Sequence, residues 1–168
     1  MHLQIKRVCA PTDFSDTAEH ALHYAATLAD AMGAQLHLLH VLENLHELTS
    51  HPDFTTHGDE VLRYFIRLDE QAAQHEEFSS EQDRQAHEFL RTLERGAARQ
   101  LDELSTSDIC EKLEIVRAVR HGHAVDQICR YTEKERIDLL VVGSHGRAGL
   151  GRFLLGSVAE RVARASPC

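Results

Sequence analysis

The chain is 168 residues long with 42% apolar residues, a size and composition that fit one globular unit with a sizeable core and exclude wholesale disorder. Aromatic residues are 5% of the total, Trp is absent and the formal net charge is −9. This argues against a base-stacking platform, an aromatic carbohydrate cleft or a surface for polyanions, so no nucleic-acid partner is expected.

The charge is unevenly placed. Residues 43–105 hold 15 acidic and 6 basic side chains, while the rest of the chain balances 12 against 12. The arginines of the C-terminal third are thereby left to meet an anion. Met1 to Arg7 shows no secretory apolar region, and no apolar run approaches the ~18 residues of a membrane span. Cys9, Cys110, Cys129 and Cys168 are scattered without C-x-x-C pairs and read as reduced thiols. A cytoplasmic protein without membrane insertion is expected.

Ile5 to Ala10, ending at Pro11, reads as a first strand, and Asp13 to Thr17 offers several helix caps. Ala21, Leu22, Ala25, Leu28, Ala29 and Met32 recur at three- and four-residue steps, predicting a helix over Ala18–Met32 that Gly33 ends. Gln35–Leu42 is a second strand, completing a parallel β-α-β unit. Val61, Phe65, Leu68 and Ala72 mark a short amphipathic helix, and a longer one follows over Glu81–Leu104 with Leu90, Leu93, Ala97, Leu101 and Leu104 on one stripe. Leu113–Val119 reads as a third strand, His123–Arg136 as a helix burying Val125, Ile128 and Cys129, and Asp138–Val142 as a nearly all-apolar fourth strand. A glycine-rich loop then leads into a last helix from Gly156-Ser157 to Ala165. The order is βαβ(αα)βαβα, which predicts an α/β fold with a parallel sheet between two layers of helices.

Ligands of open parallel sheets sit beyond the carboxyl ends of the strands, where the crossover direction changes. Two loops at that edge carry the chemistry: Ala10-Pro11-Thr12-Asp13, and the run from Gly143 to Ser157. Glycines at 143, 146, 149, 151 and 156 allow close backbone approach to a ligand. Exposed N–H groups leading into a helix N-terminus favour phosphate, with the Ser157 hydroxyl and the charges of Arg147 and Arg152 beside them. The plainer reading is a loop whose glycines only turn the chain. Asp13 can hold ribose hydroxyls or a metal ion, or can simply cap the first helix, a role that Ser15 or Asp16 can also fill. Val41 can pack on a base or serve as an ordinary strand valine.

Two lookalikes are set aside. Gly151 to Ser157 has Walker A spacing without the lysine, so the usual phosphoryl-transfer machinery is missing. His121-Gly122-His123 is one residue short of a nucleotidyl-transferase signature and follows the wrong strand. The 13 histidines show no metal-ligand spacing, and no nucleophile–base–acid set is legible, so no catalytic residue is assigned.

Gly143-x-x-Gly146, nine residues and Gly156-Ser157, with Pro11-Thr12-Asp13-Phe14-Ser15 and Val141-Val-Gly-Ser-His-Gly-Arg147, together resemble the ATP-binding branch of the universal stress protein family. The resemblance extends over nearly the whole chain. It implies a Rossmann-like three-layer α/β/α sandwich over residues 1–168, with an acidic helical segment at about 43–105. It further implies ATP with Mg²⁺, Pro11 and Thr12 in the binding loop, ribose and adenine at Asp13 and Val41, and Gly143 lining the nucleotide. Gly146, Arg147, Gly156, Ser157 and Val158 would surround the phosphates. Family members usually pair as homodimers and add a fifth strand after a Ser-Pro-Cys-like stretch. This sequence stops at Ser166-Pro167-Cys168, which means either that the strand has been lost or that the chain continues past Cys168; four strands are expected in these residues, and the usual dimer is in doubt without the fifth. The leading function is a nucleotide-responsive stress regulator acting on a protein partner. The alternatives are a slow metal-dependent ATPase and an interaction module indifferent to nucleotide.

Overall fold

The computed structural model describes residues 4–42, 81–108, 110–144 and 156–168. The short helix expected around Val61–Ala72, and most of the acidic segment before Glu81, lie outside the described residues. Among the described residues there are four strands, β1 (Arg7–Thr12), β2 (Gln35–Leu42), β3 (Ile115–His121) and β4 (Leu139–Leu140). Four helices accompany them: α1 (Asp16–Met32), α2 (Glu81–Ser105), α3 (Ala124–Lys134) and α4 (Ser157–Ala165). The strands form one parallel sheet in the order β3-β2-β1-β4. The expected α/β sandwich is what forms.

The period-2 alternation of β1 and β2 sorts the core into two halves. Val8, Ala10, Leu36 and Leu38 pack with the buried alanines of α1 and with Leu101 of α2. Cys9, Leu39 and Ala118 pack on the other face with Val125 and Ile128 of α3 and Val162 of α4. Alanines at 18, 21, 25, 26 and 29 give α1 a flat face, which lets it sit close over β1. Ser15 caps the helix, its Oγ accepting from Ala18 N, and Gly33 ends it in the left-handed region at φ 62°. The thiols of Cys9 and Cys110 are buried, that of Cys168 is exposed, and all four cysteines are free.

Three strands differ from the sequence reading. β1 continues through Pro11 to Thr12, in register with Leu39 and His40 of β2. The carbonyls of Arg7 and Cys9 accept from Asp138 N and Val141 N, so odd-numbered residues of β1 turn their polar groups toward β4. Pro11 therefore turns its donorless nitrogen toward β4, and the pairing of β1 with β4 ends before it, at Cys9 and Leu140. β3 starts two residues later than expected, because Leu113 N is held by Cys110 O in the turn after α2. The ladder begins only where Leu36 N reaches Glu114 O. β4 is two residues long rather than five, although Val141 N still bonds to Cys9 O. Asp138 is taken up otherwise: its carboxylate accepts the amides of Lys6 and Arg7 at 2.8 and 3.0 Å.

His37 and His40 lie on opposite faces of the sheet. His37 is buried, its Nε2–H donating to Gln35 Oε1 and its Nδ1 accepting from the Tyr131 hydroxyl, both at 2.9 Å. Both ring nitrogens are thus satisfied in the neutral form, and burial holds the imidazole below its usual value of 6.5. Unfolding releases the ring to take up a proton, so the stability that this group supplies is present above pH 6.5 and lost as the pH falls below it. Urea unfolding between pH 8 and 5 is expected to show wild type losing stability faster than His37→Gln. Their difference should change by up to about 1.4 kcal/mol per pH unit. Parallel curves for the two proteins would remove His37 as the cause. Among the described residues, no helix is long and apolar enough to cross a membrane.

Candidate functional site at the β1/β4 switch point

With the order β3-β2-β1-β4, the chain steps from β1 to β2 to β3 in one direction and then crosses back to place β4 on the other side of β1, so the crevice beyond the carboxyl ends of β1 and β4 is the topological switch point. The turn leaving β1 is tightly specified. Phe14 N donates to Thr12 Oγ1 at 3.0 Å, and Asp13 Oδ1 accepts from both Ser15 N (3.1 Å) and Ser15 Oγ (2.6 Å). Asp13 is thereby not the helix cap; it orients Ser15, which is. Phe14 adopts φ 62°, a conformation that a bulky side chain seldom takes and that surrounding contacts must enforce.

One such contact comes from β2. His40 sits in register with Thr12, donates Nδ1–H to the Thr12 carbonyl at 2.8 Å, and stacks on Phe14 with ring centroids 4.3 Å apart. Nothing in the local pattern around His40 marks this role, because the contact follows from the register of two strands 28 residues apart. Removing the cap should loosen this corner. Ser15→Ala is expected to lower stability by about 1 kcal/mol, a fall of about 2–4 °C in thermal midpoint for a chain of this size. An unchanged midpoint would show that Asp13 or Asp16 replaces the cap.

The β4 side meets this turn directly. A Cβ built on Gly143 would lie 3.1 Å from Thr17 O and 3.3 Å from Thr17 C and Cγ2, so the chain leaving β4 is pressed against the first turn of α1. Gly156 N then donates to Ser144 O at 2.7 Å, bringing the start of α4 back beside the end of β4. The α4 N-cap is Gly156, which has no side chain to cap the helix, so the first-turn amides, including those of Ser157 and Val158, stand at the positive end of the helix with no side-chain cap from that residue. Ser157 is exposed; the Val158 side chain packs in the same core half as Val41.

Of the residues singled out from sequence, Pro11, Thr12, Asp13 and Gly143 therefore converge on the β1/β4 crevice, and Gly156 is tied to it through Ser144. Val41 stands one strand over, partly buried near the end of β2 and in register with Arg120. Gly146 and Arg147 lie outside the described residues. Sequence reasoning missed Thr17, which walls Gly143, and Phe14 and His40, which brace the turn. The positive φ of Phe14 has no sequence signature.

The model of the universal stress protein family matches residues 4–168. The chain belongs to the universal stress protein family. Its sequence is 28% identical over 166 residues to a universal stress protein of Methanocaldococcus jannaschii, covering 99% of this chain and 93% of that one. The solved structure of that protein superposes with a TM-score of 0.67 at 23% identity, covering 98% of this chain and 92% of its own. Two more distant solved relatives share the fold. A universal stress protein from Archaeoglobus fulgidus in complex with dAMP has a TM-score of 0.52 at 14% identity, with 98% and 94% of the chains covered. A universal stress protein in complex with cAMP has a TM-score of 0.52 at 19% identity, with 98% and 93% covered.

Chemically, the crevice of this universal stress protein offers a carboxylate on one side and backbone donors at a helix N-terminus on the other. That pairing suits a ligand with hydroxyls at one end and an anion at the other. Among the described residues, no group of three or more His, Cys, Asp or Glu could hold a metal ion.

Proposed function

We propose that this universal stress protein is a cytoplasmic, nucleotide-responsive regulator that binds ATP as one unit, with the ribose at Asp13, the adenine against Val41 and the phosphates along the run from Gly143 to Val158. The observation that carries this reading is the close approach of Gly143 to the first turn of α1 beside the Asp13 turn, at the switch point of the sheet. Relatives solved with dAMP and cAMP support a nucleotide as the ligand class. Gly146 and Arg147 would complete the phosphate cradle, with Pro11 and Thr12 forming its floor.

The donor set fits a nucleotide better than a tightly caged metal. Mg²⁺ is ordinarily held by one or two carboxylates together with phosphate oxygens and water. Asp13 is the carboxylate in place, so the ion would arrive with the nucleotide. When bound, Mg²⁺ would neutralise phosphate charge. The chain's own contribution is to orient the ribose through Asp13 and to meet the phosphates with uncapped amides. Occupancy would then alter the surface offered to a protein partner or to a second copy in a homodimer.

Calorimetric titration of nucleotide-stripped protein with ATP and Mg²⁺, with AMP and GTP for comparison, tests the reading. Saturable binding of ATP near one per chain is expected. A folded sample that binds none of the three would overturn it and leave protein interaction as the function.

A further inference from the structure

His40 and Val41 are neighbours on β2, and the pleat of the strand turns them to opposite faces of the sheet. Val41 packs partly buried on the core half that α3 and α4 cover. His40 instead meets Phe14, which packs on the half that α1 and α2 cover. The end of β2 thus supplies a wall on one face and a brace beneath the β1–α1 turn on the other. What the brace holds is a strained backbone. Phe14, at φ 62°, stands between Asp13 and Ser15, and Asp13 Oδ1 reaches Ser15 N and Oγ across it. A Phe14 that relaxed out of the left-handed region would swing its two neighbours apart and re-aim the Asp13 carboxylate. His40 opposes this through Nδ1–H to the Thr12 carbonyl at 2.8 Å and through its ring on Phe14.

We infer that His40 is a positioning residue of the nucleotide site, acting through the Thr12–Phe14 backbone to aim Asp13 at the ribose hydroxyls. This rests on the reading of Asp13 as the ribose ligand and adds to it a residue that works from behind the turn. Its hydrogen bond grips the peptide chain two residues before the strained position, so the donor matters more than the ring. Apparent affinity scales with the fraction of molecules in the competent state, and a turn correctly formed about a tenth of the time binds about tenfold more weakly. The loss is selective. Contacts to base and phosphates come from β2, β4 and α4, which the turn does not carry, so the penalty falls on ligands that use the ribose hydroxyls.

The test is calorimetry of the full chain with ATP and with 2′,3′-dideoxy-ATP, which lacks both hydroxyls, each with Mg²⁺. His40→Phe keeps a ring over Phe14 and removes the donor, whereas His40→Asn keeps a donor at the δ position. His40→Phe is expected to bind ATP about tenfold more weakly than wild type and dideoxy-ATP within about twofold of it, with His40→Asn recovering most of the loss. Without nucleotide, hydrogen exchange of the Ser15 amide should quicken about tenfold in His40→Phe while that of Leu38, in the same strand as His40, stays as in wild type. Wild type that binds neither nucleotide would overturn the nucleotide reading and the inference with it. The inference alone falls if wild type binds ATP and His40→Phe binds it equally well, or if both nucleotides weaken alike. It also falls if His40→Asn is no better than His40→Phe, or if the Ser15 amide is unchanged.

Discussion

Gly143→Val is expected to lower ATP affinity by about tenfold to a hundredfold and to destabilise the fold by about 1–3 kcal/mol. The valine Cβ alone would already stand 3.1 Å from the Thr17 carbonyl oxygen and 3.3 Å from its carbon. Those are backbone atoms in the opening turn of α1, capped by Ser15 and packed on β1 through buried alanines, so they cannot swing aside as a side-chain tip would. The chain leaving β4 must retreat instead. With it moves Ser144, whose carbonyl holds Gly156 and hence the N-terminus of α4. Calorimetry gives the affinity and urea unfolding the stability. Wild-type affinity in a variant that has lost stability would show that Gly143 is needed for packing and that the nucleotide lies elsewhere.

Leu38→Ala should produce the opposite pattern. Leu38 is fully buried in β2, in the core half that also contains Ala25, Ala26 and Ala29 of α1. Alanines have no reach with which to fill the space, and the sheet fixes the distance between β2 and the helix. The cavity should stay open and cost about 3–5 kcal/mol. This is read as a lowered midpoint in urea, with ATP affinity unchanged in the fraction that is folded. A loss below 1 kcal/mol would mean that α1 can settle onto the sheet and close the cavity.

Much of the architecture was legible because its causes are local. The alanine-and-leucine period of α1, the stop at Gly33 and the apolar alternation of β2 each follow from short stretches that bury one face. The limits of β1, β3 and β4 were not legible in the same way. Pro11 marked a strand end by its missing donor, yet the strand runs on, since its pairing there is with β2 on the other side, through Leu39 and His40. β4 is short for reasons far away in the chain: the Asp138 carboxylate at its start is engaged by the amides of Lys6 and Arg7, more than 130 positions away, and its pairing with β1 stops before the donorless Pro11.

The same division holds at the candidate site. By itself the sequence determined the family, the α/β order and the residue types at the crevice: a carboxylate after one strand, and glycines followed by Ser157 after another. These are set by short-range patterns that bring their own backbone preferences. Only the tertiary structure decided that Asp13 serves Ser15 rather than the helix, that His40 braces a left-handed Phe14, and that Gly143 is walled by Thr17. Each depends on strand register or on the seating of α1 over the sheet. Register and seating are set by the sum of core contacts across the whole sandwich, which no single stretch of sequence encodes.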